Sequence, residues 1–173
     1  LWPAFDKPVY ATPFTAAMLE AKRIANGVTE KVDVRPMVPG QPFAIGPVTV
    51  EAIPMAHSIP ESHMLLIDTP ALQILHTGDW KLDPDPVAGP PSDTKRLAEI
   101  GGHDKPLALI CDSTNAMKEG ESPLEKEIGD KLEELIAAAP HRVAITTFAS
   151  NVGRIISIAR AARAAGRQVV LAG

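Results

Sequence analysis

His57 and Asp79 are the residues of this chain whose types and settings most suggest a chemical role. His57 comes shortly after the strand-like residues 48–53. Asp79 follows a second apolar run, and Gly78 allows a tight turn between that run and Asp79. Imidazole nitrogens and carboxylate oxygens are ordinary zinc ligands. The pair therefore indicates a hydrolytic metal site, although two ligands do not complete one. A histidine held in a turn and an aspartate capping a turn are the simpler alternatives.

Two further groups of small polar residues also follow strand-like segments. Asp112 opens the polar residues 112–115 at the exit of an apolar run, where α/β sheets place their ligands, although the same residue types also favour an ordinary turn. Ser150 and Asn151 precede a helix, so they are candidates for capping it or for binding a phosphate at its N terminus. Capping is the simpler role for both.

The composition limits the kind of protein and the kind of metal site. The chain has 173 residues, 45% of them hydrophobic, and a net charge of −4. It can fill one compact domain, or one domain and part of another. The single Cys111 excludes a disulfide framework and fits a reducing cytoplasm, so any metal must be bound by histidine and carboxylate. The negative charge gives no general attraction to nucleic acid, and no apolar run approaches the roughly 20 residues of a membrane span.

The first half of the chain is rich in predicted strands. We expect a loop over residues 1–8 and a helix that begins at Pro13 and ends at Gly27, since proline suits a first helical turn and glycine a helix end. Turn residues and alternating apolar positions predict strands over residues 9–11, 32–35, 41–45, 48–53, 64–68 and 72–76. A proline-rich loop over residues 83–91 and a helix over residues 94–100 follow.

The second half predicts regular alternation of strands and helices. Residues 107–111 have the pattern of a buried strand. Ser122 and Glu125 form an expected capping box for a helix that ends before Pro140, and a second helix covers residues 151–165. With strands expected over residues 142–147 and 168–172, the pattern indicates a parallel sheet covered by helices. A domain boundary is expected near residues 118–120.

Five short motifs, taken in order, resemble the ribonuclease J family, which belongs to the β-CASP group of the metallo-β-lactamase superfamily. They are HSIPES at 57–62, HTGDWKLDP at 76–84, LAEIG at 97–101, DSTNA at 112–116 and TFASN at 147–151. Each motif alone is weak, but five in the right order and spacing are specific. The resemblance extends over nearly the whole chain.

The resemblance implies an α/β fold in two parts. Residues 1–119 are similar to part of a metallo-β-lactamase αββα sandwich, and residues 120–173 to the N-terminal part of a β-CASP domain. His57 then matches a lone metal-ligand histidine, Asp79 an aspartate that bridges two zinc ions, and Asp112 an acidic residue that helps to orient the active site. Manganese or magnesium are alternatives to zinc. The family's His-x-His-x-Asp-His run and its late histidine motifs are absent, so the 173 residues resemble an internal segment that is inactive alone.

The resemblance also implies an activity and partners. The expected enzyme hydrolyses RNA phosphodiester bonds as a 5′-to-3′ exonuclease and an endonuclease in RNA maturation and decay. Its expected substrate is 5′-monophosphorylated single-stranded RNA, with Ser150 and Asn151 as weak candidates for contacting it. A cytoplasmic homo-oligomer without membrane contact is expected. The alternatives are another hydrolase of the same fold, acting on DNA or a small ester, and a non-catalytic RNA-binding module.

Overall fold

The computed structural model describes residues 7–172, so most of the loop predicted over residues 1–8 lies outside the described residues. The helices and strands follow one another along the chain in the order β1 (Val9–Ala11), α1 (Pro13–Ala25), β2 (Val34–Pro36), β3 (Phe43–Ile45), β4 (Val48–Pro54), β5 (His63–Asp68), β6 (Gln73–His76), α2 (Thr94–Gly101), β7 (Leu107–Ile110), α3 (Glu125–Ala138) and α4 (Val152–Ala164). This mixture confirms the predicted α/β class. No helix in the described part is long and apolar enough to cross a membrane.

The first unit of the fold is a small parallel arrangement of β1, α1 and β2. Pro13 starts α1, as predicted, because its fixed φ suits the first helical turn. The backbone N–H of Phe14 donates a 2.8 Å hydrogen bond to the carboxylate of Glu61. This bond ties the N terminus of α1 to the loop that contains His57.

Five strands form the larger sheet in the order β3-β4-β5-β6-β7. The successive pairs from β3 to β6 are antiparallel, whereas β6 and β7 are parallel. Strands β4, β6 and β7 therefore run in the same direction, and their carboxyl ends meet at one edge of the sheet. His57, Asp79 and Asp112 come shortly after these three ends. The topology thus places all three predicted site residues at one edge.

The hydrophobic core lies between the sheet and α2. Its buried side chains are Ile53, Met55, Met64, Leu66, Leu75 and Ile100. Arg96 of α2 reaches the sheet, where its Nε and Nη2 donate to the Glu51 carboxylate at 3.0 and 2.7 Å. These hydrogen bonds raise the pKa of Arg96. The bidentate pair fixes the position of α2 on β4.

Helices α3 and α4 pack against each other in the second half of the chain. Glu125, at the start of α3, accepts hydrogen bonds from Arg154 Nε at 2.8 Å and from Ser157 Oγ at 3.0 Å, both on α4. The side chains of Glu125 and Arg154 are only 18% and 28% exposed. Partial burial reduces screening by water, so the attraction between these two charges is stronger than in an exposed pair, although burial also costs part of their hydration.

The two strands predicted in the second half are not formed in the described residues. Residues 142–147 and 168–172 have no strand pairing, and both segments are exposed. An extended segment becomes a strand only when a neighbouring backbone pairs with it. No described strand lies beside either segment, so the prediction of these strands is wrong here. The domain boundary near residue 119 stays a prediction.

Two local expectations also differ from the structure. Strand β7 is exposed at all four positions rather than buried, because it forms the end of the sheet and pairs only with β6. The expected capping box between Ser122 and Glu125 is wrong as well. Helix α3 begins at Glu125, and Glu127 accepts a 2.8 Å hydrogen bond from the N–H of Leu124. Glu125 is therefore available to pair with α4.

Candidate active site

The candidate site lies at the sheet edge where β4, β6 and β7 end. An isolated antiparallel bridge joins Ala56 to Lys81, which brings the loop after β4 alongside the loop after β6. His57 and Trp80 are the next residues across this bridge, and Asp79 adjoins Trp80. The bridge therefore brings the predicted histidine and aspartate onto adjacent segments.

His57 is half-buried, and one of its ring nitrogens faces its chain neighbour. Its Nδ1 lies 3.1 Å from the Oγ of Ser58. If Nδ1–H donates to the serine oxygen, Nε2 has a free lone pair that can bind a metal. The ring also borders a cavity of about 180 Å³. His57 thus faces open space and not the core.

Asp79 is exposed and lies at a bend directly after Gly78. Gly78 has a φ of 56°, a conformation that residues with a Cβ rarely adopt. Thr77 is buried, and its hydroxyl donates to the Gly78 carbonyl at 2.7 Å while accepting from the N–H of Asp112 at 3.0 Å. One threonine hydroxyl therefore joins the segment before Asp79 to the segment of Asp112.

Asp112 is held by both its backbone and its side chain. Its carbonyl accepts from Trp80 Nε1 at 3.1 Å, and its Oδ1 accepts from the N–H and hydroxyl of Thr114 at 2.9 and 2.5 Å. The hydrogen bonds from Thr114, and then the positive charge of His57, lower the pKa of Asp112. The structure therefore places Asp112 near His57 and ties its backbone to Thr77 and Trp80, on either side of Asp79.

The donor groups at this edge fit a metal in part. His57 offers an imidazole nitrogen and Asp79 a carboxylate, both of which zinc accepts. Within residues 7–172, no three His, Cys, Asp or Glu side chains are grouped so that they could hold one metal ion. His57 and Asp79 are thus two candidate ligands, and a four-coordinate zinc centre needs others.

Helix α4 contacts the loop of His57 directly. The N–H of Gly153 donates to the Ser58 carbonyl at 3.3 Å. Asn151 caps the helix, since its Oδ1 accepts a 2.9 Å hydrogen bond from the helix backbone. Of the two residues proposed from the sequence to contact RNA, Asn151 borders the same cavity as His57, whereas Ser150 is exposed and is not part of that lining.

Lys81 forms a second connection between the two halves of the chain. Its Nζ donates to the Pro123 carbonyl at 2.5 Å and lies 4.0 Å from the buried carboxylate of Asp83. The proline-rich loop adds Pro86 and Val87 to the cavity wall. The cavity is thus bordered by the His57 loop, the proline-rich loop and α4. The charge of Lys81, which also borders it, is paired with Asp83.

Sequence reasoning missed three residues that hold the site together. Thr77 joins two of the site's loops, Ser58 contacts the His57 ring, and Glu125 binds α4. Serine and threonine are common beside turns, so only the adjacency of Ser58 to His57 could have drawn attention to it. For Glu125 the local pattern pointed instead to helix capping.

His63, at the start of β5, gives a pH-dependent prediction. Its Nε2 is buried without a hydrogen-bond partner among residues 7–172, and burial lowers its pKa from the ordinary 6.5. The unfolded state therefore binds the proton more readily, so the stabilising contribution of neutral His63 is present above pH 6.5 and is lost as pH falls through the lower folded-state pKa. We expect His63→Phe to flatten this part of the pH profile of the unfolding free energy.

Urea denaturation of the full-length protein between about pH 7.5 and 5 measures this profile. The matched control is His141→Phe, which replaces an exposed histidine away from β5. A slope in His63→Phe equal to that of the unaltered protein would contradict the prediction.

Comparison with known proteins identifies relatives of the chain. It is 50% identical over 173 residues to ribonuclease J from Sinorhizobium meliloti. The match covers 100% of this chain and 30% of that protein. Ribonuclease J from Thermus thermophilus is 38% identical over 168 residues, covering 96% of this chain and 29% of the relative. The chain therefore spans about 30% of the length of these relatives. No protein-family model matches it.

Among solved structures, a protein of unknown function from Enterococcus faecalis V583 has a similar fold. The TM-score is 0.66 at 20% sequence identity, and the match covers 91% of this chain and 40% of the other. At this identity the likeness concerns the fold alone. The arrangement of strands and helices described above is therefore one that an experimentally solved protein also adopts.

Proposed function

This chain is homologous over its whole length to part of ribonuclease J, and we propose that it contributes to a metal-dependent ribonuclease that hydrolyses RNA phosphodiester bonds. The main supporting observation is that His57, Asp79 and Asp112 all follow the carboxyl ends of three strands that run in one direction, at one edge of the sheet. The 50% identity to the Sinorhizobium meliloti relative supports the same class of activity. Because the match covers 30% of that relative, the proposed activity is that of the full-length protein.

Three residues have distinct roles in this proposal. His57 would hold a metal through Nε2, and Asp79 would offer its two carboxylate oxygens to two ions, with further ligands completing the centre. Zinc is the proposed metal, with manganese or magnesium as alternatives. When bound, the metal supplies Lewis acidity that activates water and neutralises charge on the attacked phosphate. Asp112 holds the Asp79 loop through its backbone and lies within reach of the His57 charge.

The proposed substrate is single-stranded RNA with a 5′ monophosphate, cleaved by 5′-to-3′ exonuclease and endonuclease activity during RNA maturation and decay. The N-terminal turn of α4 supports an RNA contact, because Asn151 borders the cavity beside His57 and helix N termini favour anions. Ser150, next to it, is exposed and accessible to RNA. We also propose that the protein is cytoplasmic and forms a homo-oligomer. The motif resemblance supports both proposals, and the single Cys111 supports the location.

RNA degradation by the full-length protein tests this function. We expect 5′-monophosphorylated single-stranded RNA to be shortened from its 5′ end with zinc or manganese present, and EDTA to stop the reaction by removing the metal. RNA of the same sequence with a 5′ hydroxyl is the matched control and should be shortened more slowly. Equal cleavage of the matching DNA would indicate a DNA nuclease, and RNA binding without hydrolysis would indicate a binding module. Either result would overturn the proposal.

A further inference from the structure

Ser58 connects the candidate ligand His57 to the second half of the chain. Its Oγ lies 3.1 Å from His57 Nδ1, and its carbonyl accepts the 3.3 Å hydrogen bond from the N–H of Gly153 on α4. One residue thus contacts the imidazole with its side chain and the helix with its backbone. Building on the proposed function, we propose that Ser58 is a positioning residue, which orients the His57 ring for metal binding and couples it to the position of α4.

In this proposal the hydroxyl of Ser58 sets which nitrogen of His57 is available to a metal. A histidine that binds a metal through one nitrogen is usually held by a hydrogen-bond partner at the other. Ser58 Oγ is within hydrogen-bond distance of Nδ1. With Nδ1–H donating to this oxygen, Nε2 has the lone pair that a metal requires. Without the hydroxyl, both the tautomer and the ring angle of His57 would vary more.

The carbonyl of Ser58 is held by a helix that is itself fixed in place. Glu125 on α3 accepts hydrogen bonds from Arg154 and Ser157 on α4. Gly153 is packed between these groups, since a Cβ there would lie 3.7 Å from Glu125 Cγ and 4.0 Å from the Ser58 carbonyl oxygen. The position of α4 therefore depends on Glu125, and that of the Ser58 carbonyl depends on α4.

The other end of the same loop is fixed by separate contacts. Glu61 accepts the 2.8 Å hydrogen bond from the N–H of Phe14, and the backbone of Pro60 lies against Gly89. Neither contact involves the Ser58 hydroxyl. Removing that hydroxyl should therefore leave the loop folded and change only the support of the His57 ring.

Zinc affinity of the full-length protein, measured by competition with a chromophoric chelator, tests the role of the hydroxyl. Ser58→Ala should weaken zinc binding by about 10- to 100-fold, as is typical when a partner of a ligand histidine is lost. Ser58→Thr keeps a hydroxyl and should restore affinity. Ser62→Ala removes a hydroxyl from the same loop and should have no effect. The absorption spectrum of the cobalt-substituted protein, which reports ligand geometry, should change only in Ser58→Ala.

A second variant tests the coupling between His57 and the position of α4. Glu125→Gln removes the charge that holds Arg154 and should weaken zinc binding about fivefold or more, although Glu125, which borders the cavity beside His57, is not one of the proposed ligands. Glu134, which forms an exposed pair with Lys131 on the same helix, provides the control, and Glu134→Gln should leave zinc binding unchanged. Thermal unfolding of each variant shows whether it is folded.

The outcomes separate this inference from the proposed function. Unchanged zinc affinity and an unchanged cobalt spectrum in Ser58→Ala would overturn the inference, whether or not thermal stability falls. The proposed function would still stand if the unaltered protein binds zinc and degrades RNA. An unaltered protein that binds no metal would overturn the proposed function, and the inference with it.

Discussion

His57→Ala and Asp79→Ala should each remove nearly all RNA degradation by the full-length protein. Each change deletes a proposed metal ligand at the edge where β4 and β6 end. The loss in kcat/KM should be at least about 100-fold, because it must exceed the 10- to 100-fold effects of groups that only support a ligand. Metal content measured by mass spectrometry should fall in parallel with the initial rate of RNA degradation.

Two exposed residues of the same types provide matched controls. His103 follows α2, and Asp130 lies on α3; both are exposed and outside the candidate site. His103→Ala and Asp130→Ala should retain metal content and activity. Unchanged metal content and RNA degradation in both His57→Ala and Asp79→Ala would refute the assignment of these residues as ligands.

The strands that lead to the site could be predicted from local sequence. Residues 48–53 show the alternation of a half-buried strand, and the structure has β4 over Val48–Pro54. The hairpin of β5 and β6 and the helix α2 were equally evident, because turn residues and apolar periodicity are local signals. The order of the strands in the sheet, by contrast, is not a local property of the sequence. That β4, β6 and β7 run in one direction depends on pairing between distant segments, so the meeting of their ends could not be predicted from local sequence alone.

The failed predictions have a common physical cause. Residues 142–147 and 168–172 have strand propensity, but a strand also needs a paired neighbour. For β7 the apolar run indicated burial, whereas its place at the end of the sheet leaves it exposed. Glu125 had the spacing of a capping box, yet it binds Arg154 across the helix pair. In each case a tertiary contact, or its absence, outweighed the local pattern.

Within the site, the candidate ligands could be named from the sequence, whereas the residues that support them could not. A histidine and an aspartate that each follow a strand end suggest a metal site, although both residue types also have ordinary roles in turns. Ser58 and Thr77 are ordinary turn residues by type, and their importance lies in contacts with residues far along the chain, such as Gly153 and Asp112. Such supporting residues become visible only when the sheet edge and α4 are seen together.

Gly89→Ala should destabilise the full-length protein strongly and displace the loop of His57. Gly89 has a φ of 78°, and a Cβ there would lie 2.0 Å from the carbonyl oxygen of Pro60. Because the obstructing atom belongs to the backbone, it cannot rotate away as the end of a side chain would. The overlap adds to the roughly 1–2 kcal/mol that left-handed backbone costs an alanine. We expect a total loss of about 3 kcal/mol or more in the free energy of unfolding, measured by urea denaturation.

Gly40→Ala is the matched control, because it shares the backbone conformation without the contact. Gly40 has a φ of 72°, and among the described residues no atom would lie within 4 Å of its Cβ. It should lose only the roughly 1–2 kcal/mol of the left-handed conformation, so the difference between the variants isolates the contact with Pro60. Since Pro60 belongs to the loop of His57, Gly89→Ala should also weaken zinc binding, whereas Gly40→Ala should not. Equal losses of stability, with zinc binding intact in both, would mean that the proline-rich loop does not hold the His57 loop in place.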